Sequence, residues 1–335
     1  MRRVPFGPDD CPINTMKSWS LRIVAALVVL ILAAVLTAIV RSAPARVPLP
    51  SPNGYDDFIQ AGAAVPESND FADYRQWTVA ELAARVEASS NAFALVQAGL
   101  QKASRTPGVR PGDELDARMQ KLASFKRLAY ALAARSQLAL LQGHTDEAAA
   151  LALDGVQMAH GIARGGVLIE ALVGMACEAV ALRALSATIP NLDSKAARSA
   201  ARRLADLDRE TPTAAETMAS EHAFNRSHGL YGTLLAAGDR FGMGPLVAGR
   251  QKFETKWASE AARRRELILQ LARRAYEVEK GRLPDSDAEL VPDVLPSLPV
   301  VPADGSAARV HPAPGDALSL PVDPADRGAV SGKSQ

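Results

Sequence analysis

The sequence predicts an all-α protein, in which one apolar N-terminal segment precedes an array of about seven or eight packed helices. Three observations favour this class. Alanine is abundant among the 48% of residues that are apolar, and aromatic residues make up only 5%. Apolar residues recur at helical spacing along most of the chain. No convincing alternation of polar and apolar residues, the pattern typical of strands, occurs before about residue 308.

Composition excludes several classes of function. A net charge of +1 gives no electrostatic reason to expect a nucleic-acid partner. The two cysteines, Cys11 and Cys177, show neither zinc-ligand spacing nor a disulfide framework, so we predict no metal and no cofactor. The chain also contains no GxSxG elbow, P-loop or GxGxxG motif. An enzyme is therefore the less favoured class.

The segment 23–40 contains 18 residues without a charge. At about 1.5 Å per residue such a helix spans about 27 Å, close to the hydrocarbon thickness of a bilayer. We predict a transmembrane helix here. It is expected to stay as an uncleaved anchor, because about 22 residues precede it and Pro44 interrupts the small-residue site SAPAR.

The distribution of basic residues predicts the orientation of this anchor. Four lie before the segment and two follow it, which favours a cytoplasmic N-terminal segment over residues 1–22: Arg2, Arg3, Lys17 and Arg22, then Arg41 and Arg46. The rest of the chain is then extracytoplasmic, so we expect a bacterial inner-membrane protein with a periplasmic domain. Residues 41–54 contain four prolines and are expected to form an extended spacer.

A helical extracytoplasmic domain is predicted over residues 55–281. It opens with a short helix at YDDFIQAGAAV. A longer helix is expected from Thr78 to Leu100, because TVAE is a capping box in which Thr78 caps the helix and Glu81 reaches back. Apolar residues then follow at helical spacing on one side.

The middle of the domain is predicted to be a helical hairpin. One helix runs from Asp113 to about Leu141, Gly143 stops it, and the next helix starts after Thr145. The turn and the alanine-rich second helix resemble one tetratricopeptide unit, without a second copy at the 34-residue period. Glycines in this region predict close packing of a neighbouring helix: Gly155, Gly161, Gly165, Gly166 and Gly174.

Four further helices are predicted, over residues 167–189, 194–207, 212–237 and 251–280. Cys177 lies in the first of these and is expected to be a small buried hydrophobe. His144 lies in a turn and is expected at the surface, whereas the position of His160 is left open between core and surface. Five arginines between Arg263 and Arg274 predict a solvated, ion-paired face, with contact to anionic lipid headgroups as the alternative.

One helix carries the candidate site residues. On the helix over 212–237, six residues are spaced four or three apart and form one face that is expected to point inward: Thr217, Glu221, Phe224, His228, Tyr231 and Leu235. Asn225 lies beside Glu221 and His228. A half-buried Glu–His pair is found at active sites, but it is found more often as a polar link between helices. A metal site is not favoured, because one helix supplies at most two ligands.

The C-terminal part is predicted to leave the helical array as a proline-rich strap. GRLPDSDAELVPDVLPSLP follows the last helix, and its leucines are expected to lie back against the helices over residues 282–310. Residues 311–335 are expected to form a flexible tail.

The motifs PNGYDDF (residues 52–58) and GRLPDSDAELVP…LPSLP, together with the apolar segment, carry a resemblance that covers about 40 residues. They resemble bacterial single-pass membrane proteins of uncharacterised function, and the tail is similar to that of type II secretion pseudopilins. A pseudopilin, however, places its long helix directly after a short leader, whereas a proline spacer follows the segment here. Val301 replaces the acidic residue of those tails, which argues against their calcium site.

Together these features predict a membrane-anchored helical interaction or scaffold module of the bacterial envelope, whose partner is another envelope protein. Two alternatives stay open. One is an enzyme or small-ligand receptor with a cleft around Glu221, Asn225 and His228. The other is an accessory subunit of a secretion or pilus-like machine, which the tail alone suggests.

Overall fold

A computed structural model of the chain describes residues 22, 24–30, 32, 33, 37, 48–67, 71–108, 115–227, 238 and 247–299. These residues contain helices, turns and bends but no strand, which confirms the all-α class. The chain divides into two units, Met1–Val47 and Pro48–Gln335.

The first unit is helical where it is described. Its large apolar side chains are 49–68% exposed: Val24, Leu27, Val28, Val29, Leu30 and Leu32. Among the described residues, no helix combines the length and hydropathy that a membrane crossing needs. The predicted span 23–40 extends beyond the described residues, as do the N-terminal segment 1–22 and the first part of the spacer 41–54. These three assignments therefore stay predictions.

The second unit contains nine α-helices within the described residues from 48 to 299. We number them α1 (Gly54–Ala64), α2 (Val79–Ala88), α3 (Ser90–Leu100), α4 (Leu115–Leu141), α5 (Thr145–Ala163), α6 (Leu168–Thr188), α7 (Ser194–Glu210), α8 (Ala214–Ser227) and α9 (Val247–Lys280). Short 3₁₀ helices at Phe71–Gln76, Ile189–Asn191 and Asp287–Leu290 complete the described secondary structure.

The core lies where α4, α5 and α6 pack together, and α1 with α3 covers one side of it. α7 packs along α9, and α9 also contacts α6. The largest side chains that are almost completely buried are aliphatic or phenylalanine, with one exception discussed below: Phe58, Phe71, Leu82, Phe125, Leu128, Leu132, Met158, Ile162, Leu182, Leu185 and Leu192.

Several helix ends are where the sequence places them. The Thr78 hydroxyl accepts the Glu81 N–H at 3.3 Å, and the Thr78 N–H donates to the Glu81 carboxylate at 2.9 Å, so the predicted capping box is confirmed. α4 and α9 are each followed by a glycine with positive φ, 83° at Gly143 and 69° at Gly281. A side chain is strained in that conformation, so glycine ends both helices, as the sequence predicts for Gly143.

The predicted helix from Thr78 to Leu100 is wrong in one respect, because the structure breaks it into α2 and α3. At Ser89 the backbone leaves helical geometry, with φ −104° and ψ 10°. The Ser89 hydroxyl donates to the Arg85 carbonyl, and its N–H donates to the Val86 carbonyl. A serine hydroxyl that bonds to the carbonyl four residues earlier competes with the main-chain N–H groups of the helix, which explains the break. The last helix also begins earlier than predicted, at Val247 instead of residue 251.

Small residues set how closely the helices approach. A Cβ atom at Gly174 in α6 would lie 2.9 Å from the Ala159 carbonyl oxygen of α5. At the first residue of α1, a Cβ atom on Gly54 would lie 2.4 Å from the Gly99 carbonyl oxygen of α3. Glycine thus stands where another helix packs against the backbone, as the sequence predicts for Gly174.

The segment after α9 lies against α7 and α9. Leu290, Val294 and Leu295 are at most 1% exposed. The Arg202 guanidinium of α7 donates to the Asp293 and Val294 carbonyls, both at 2.8 Å. On α9, Arg273 binds both carboxylate oxygens of Asp287 at 2.9 Å. The predicted strap 282–310 is described as far as residue 299, and the tail 311–335 lies outside the described residues.

We expect Gly54→Ala to lower the free energy of unfolding by about 1–3 kcal/mol, because the new methyl group collides with a backbone carbonyl that cannot move independently of α3. Urea denaturation followed by circular dichroism measures the change. The matched control is Gly249→Ala in α9, where a Cβ atom meets nothing within 4 Å. That substitution should stabilise the chain by about 0.5–1 kcal/mol through helix propensity. Equal effects of the two substitutions would contradict the close approach of α1 and α3.

Candidate functional site

The exception among the buried side chains is an arginine. Arg264 of α9 is only 2% exposed, and its guanidinium lies between two carboxylates. Its Nη1 donates to Glu178 of α6, and its Nε donates to Asp208 of α7 at 2.6 Å. Arg265 donates to the other oxygen of Asp208 at 3.1 Å. The buried positive charge is thereby paired on two sides, which is the condition under which burial of an ion is tolerated.

A fourth helix joins this group through His160 of α5, which is 5% exposed. Its Nε2 lies 3.1 Å from Glu178 and 3.4 Å from the Thr211 hydroxyl. Its Nδ1 is buried and has no hydrogen-bond partner among the described residues. His160, Glu178, Asp208, Arg264 and Arg265 together are called the charge cluster below.

The charge cluster shifts the protonation of Glu178. Burial alone would raise the pKa of this carboxyl, because a charged form loses its hydration. The Arg264 guanidinium and His160 outweigh burial and hold the pKa of Glu178 at about 2. Glu178 is thus an ionised carboxylate throughout the physiological pH range, and its negative charge balances the positive charge of Arg264.

Glu260, one turn before Arg264 on α9, behaves in the opposite way. Burial raises the pKa of its carboxyl, and the nearby charge of Glu178 adds to the effect, against opposing contributions from Arg263 and other cations. One of its oxygens is buried without a hydrogen-bond partner in the described part of the chain. The two carboxyl groups therefore differ in environment although they lie close together.

A second buried ion pair lies at the start of α6. Glu170 is 1% exposed, binds the Arg118 guanidinium of α4 and accepts the Val167 N–H at 3.1 Å. Burial, and then the charge of Glu170, raise the pKa of Tyr55 to about 12. This pair fixes the first turn of α6 against α4.

Of the predicted site residues Glu221, Asn225 and His228, the structure describes the first two, so their grouping with His228 stays a prediction. Glu221 is half-buried, and its carboxylate accepts the Leu168 N–H at 3.0 Å, so it caps the first turn of α6 from α8. Asn225 is half-buried, and its side-chain nitrogen has no partner in the described part. His228 lies outside the described residues, as do Tyr231 and Leu235.

Other sequence-based expectations are settled by burial. His144 is exposed and Cys177 is fully buried, as predicted, and burial raises the pKa of the Cys177 thiol to about 12. The prediction of a solvated, ion-paired arginine face agrees with the half-buried Arg273 and Arg274, which pair with glutamates on α9, but it is wrong for Arg264. Arg264 points inward because it forms ion pairs there with Glu178 and Asp208.

Two cavities adjoin His160. The smaller, of about 20 Å³, is lined by members of the charge cluster together with Thr211, Thr217, Trp257 and Glu260. The larger, of about 210 Å³, lies between α1, the end of α3, α5 and the end of α7. Its wall combines apolar side chains with charged and polar ones, which are Lys102, Ser104, Gln157, Arg164 and Glu210.

One sequence signal for the charge cluster was present and was missed. Glu170 and Glu178 are the only acidic residues in α6, whose other residues are nearly all apolar or small. A charge inside such a helix needs a partner, so each glutamate indicated a buried ion pair. What the sequence did not indicate was which of the many arginines is that partner.

Comparison of the chain with protein-family models, with curated protein sequences and with solved structures gives no match. Within the described residues, no group of three His, Cys, Asp or Glu side chains is placed to hold a metal ion.

We expect Glu178→Gln to lower the free energy of unfolding at pH 7 by about 3 kcal/mol, because it leaves Arg264 buried with only Asp208 to neutralise it. The depressed pKa of Glu178 stabilises the folded chain above the ordinary value of 4.5, and that stability is lost as pH falls towards about 2. Urea denaturation at a series of pH values should therefore show a flatter acid limb in Glu178→Gln. Glu67→Gln, at a side chain that is 92% exposed, is the control. An unchanged acid limb would contradict the pairing.

Proposed function

We propose that this chain is a single-pass membrane protein whose helical domain is a rigid interaction module on the extracytoplasmic side. The observation that carries the proposal is the uncharged apolar segment 23–40, whose described part is helical with side chains such as Leu30, 68% exposed. Helices with apolar side chains on every side belong in a nonpolar surrounding. Positive charges before the segment favour a cytoplasmic N-terminus in a bacterial inner membrane.

The charge cluster supports a structural role for this domain more than a catalytic one. Glu178 is paired with Arg264 and His160, and Asp208 is paired with two arginines. Glu221 caps a helix. Polar side chains that bond to one another across helices hold those helices together. Because the partners come from α5, α6, α7 and α9, the cluster fixes four helices in one arrangement.

Exposed apolar side chains on this rigid domain support contact with another protein of the envelope. Val79 is 50% exposed, Leu141 52% and Leu283 60%. Val79 starts α2, Leu141 ends α4 and Leu283 lies in the strap, and a partner can reach all three positions. The similarity of the strap to pseudopilin tails keeps an accessory role in a secretion machine within this proposal, as one kind of partner.

The anchor is tested by placing a charge in it. Leu30→Arg should move the chain from the membrane fraction to the soluble or degraded fraction, because a charge in the centre of an inserted helix costs several kcal/mol. Membrane fractionation with carbonate washing measures this. The matched control is Leu283→Arg, which introduces the same charge at a comparably exposed side chain of the other unit and should leave the distribution unchanged. Membrane retention of both variants, or loss of both, would contradict the anchor.

The interaction module is tested in intact cells with a photo-crosslinking residue at Leu141 or Leu283, at native expression. We expect at least one position to give a discrete product with the same envelope protein in repeated experiments. A probe at Lys195, an exposed polar position on α7, is the control and should give none. The module is wrong if both apolar positions behave like Lys195.

A further inference from the structure

The larger cavity is lined by a guanidinium for which the described residues supply no acidic partner. Arg164, directly after α5, is half-buried, and the one described hydrogen bond of its side chain donates to the main-chain carbonyl of Glu210 at 2.7 Å. Among the described residues no carboxylate lies within ion-pair distance of it. The other large ions of the domain interior, Arg264 and Arg118, do have such partners. A partly desolvated arginine with free donors is a ready partner for a carboxylate, which it binds through two parallel hydrogen bonds.

The charged side chains near Arg164 favour a ligand that carries a single negative charge. Lys102 lines the same cavity and is neutralised by Asp57, with contacts of 2.7 and 2.8 Å. The Arg105 side chain lies against Gly165, the residue after Arg164, so a second positive charge lies near Arg164. Glu210 is an exposed residue of the wall and disfavours an ion with a larger negative charge.

The remaining wall is suited to hydrocarbon. Leu100 of α3 and Leu207 of α7 line the cavity, and Phe58 of α1 closes one side of it by packing against Gly99 and Gly161. Leu100 is half-buried and Leu207 is 7% exposed, so these leucines keep some accessible apolar surface, whereas Phe58, at 1%, keeps almost none. A volume of about 210 Å³ is far more than one water molecule needs, which is about 10–15 Å³, and it is suited to a molecule of a few carbons.

We propose that the cavity between α1, α3, α5 and α7 binds a small organic carboxylate, with its acid group on Arg164 and its carbon chain against Leu100 and Leu207. The ligand class follows from the chemistry of the wall, which offers a guanidinium without an acidic partner among the described residues and a short apolar surface beside it. This inference goes beyond the proposed anchor and partner, and neither of them is needed for it.

Ligand-observed NMR on the full chain, purified in a mild neutral detergent, tests the site with butanoate as the probe. We expect saturation transfer to butanoate, and none to butanamide, which has the same shape without the charge. Arg164→Gln should weaken butanoate binding at least about tenfold, because the charge-assisted pair is lost. The matched control is Arg183→Gln on α6, an exposed arginine that does not line the cavity, and it should bind butanoate as the unmodified chain does.

A second variant keeps the test decisive if Arg164→Gln does not fold. Leu207→Phe enlarges a side chain of the cavity wall and should reduce butanoate binding by occupying the space, with little change in the circular dichroism of the chain. Any of three results overturns the proposal. The first is no saturation transfer to butanoate, and the second is equal transfer to butanamide. The third is undiminished butanoate binding in Arg164→Gln or Leu207→Phe when that variant is folded.

Discussion

The arrangement of the helices in the second unit depends on one constraint, which is that the charge of Arg264 must be neutralised away from water. An unpaired guanidinium in the interior would cost many kcal/mol, so the fold has to bring carboxylates to it. Glu178 comes from α6 and Asp208 from α7, so these contacts align the three helices that carry the residues. Apolar side chains alone would tolerate sliding of one alanine-rich helix along another, but the ion pairs do not.

The rest of the unit is arranged around this point. α5 contributes His160 to Glu178, and α8 sends Glu221 to the first turn of α6. On the other face of α7 and α9, the segment after Gly281 is held by arginines that bind its carbonyls and carboxylates. Polar contacts thus fix positions, while leucine, alanine and phenylalanine supply most of the buried area. The larger cavity lies at the edge of this arrangement, between α1, the end of α3, α5 and the end of α7.

Local signals in the sequence predicted local structure well. Thr78 and Glu81 are three apart and so close a capping box whatever surrounds them, and Gly143 and Gly281 end helices because only glycine adopts positive φ without strain. The break at Ser89 was missed, since a serine that bonds to the carbonyl four residues earlier resembles any other polar residue in the pattern. The capping role of Glu221 was missed for a related reason. Helical spacing showed that Glu221 faces inward, but it could not show that the free N–H of Leu168 lies opposite.

The sequence by itself determined the all-α class, most helix positions and the apolar segment near the start, because these depend on composition and on spacing along one stretch of chain. Only the tertiary structure decided that Arg264 is buried while Arg263 and Arg265 beside it are half-buried. It also decided that Arg164 borders a cavity without an acidic partner among the described residues. Both facts depend on residues 40 or more positions away, and pairing at that distance leaves no pattern within a single sequence.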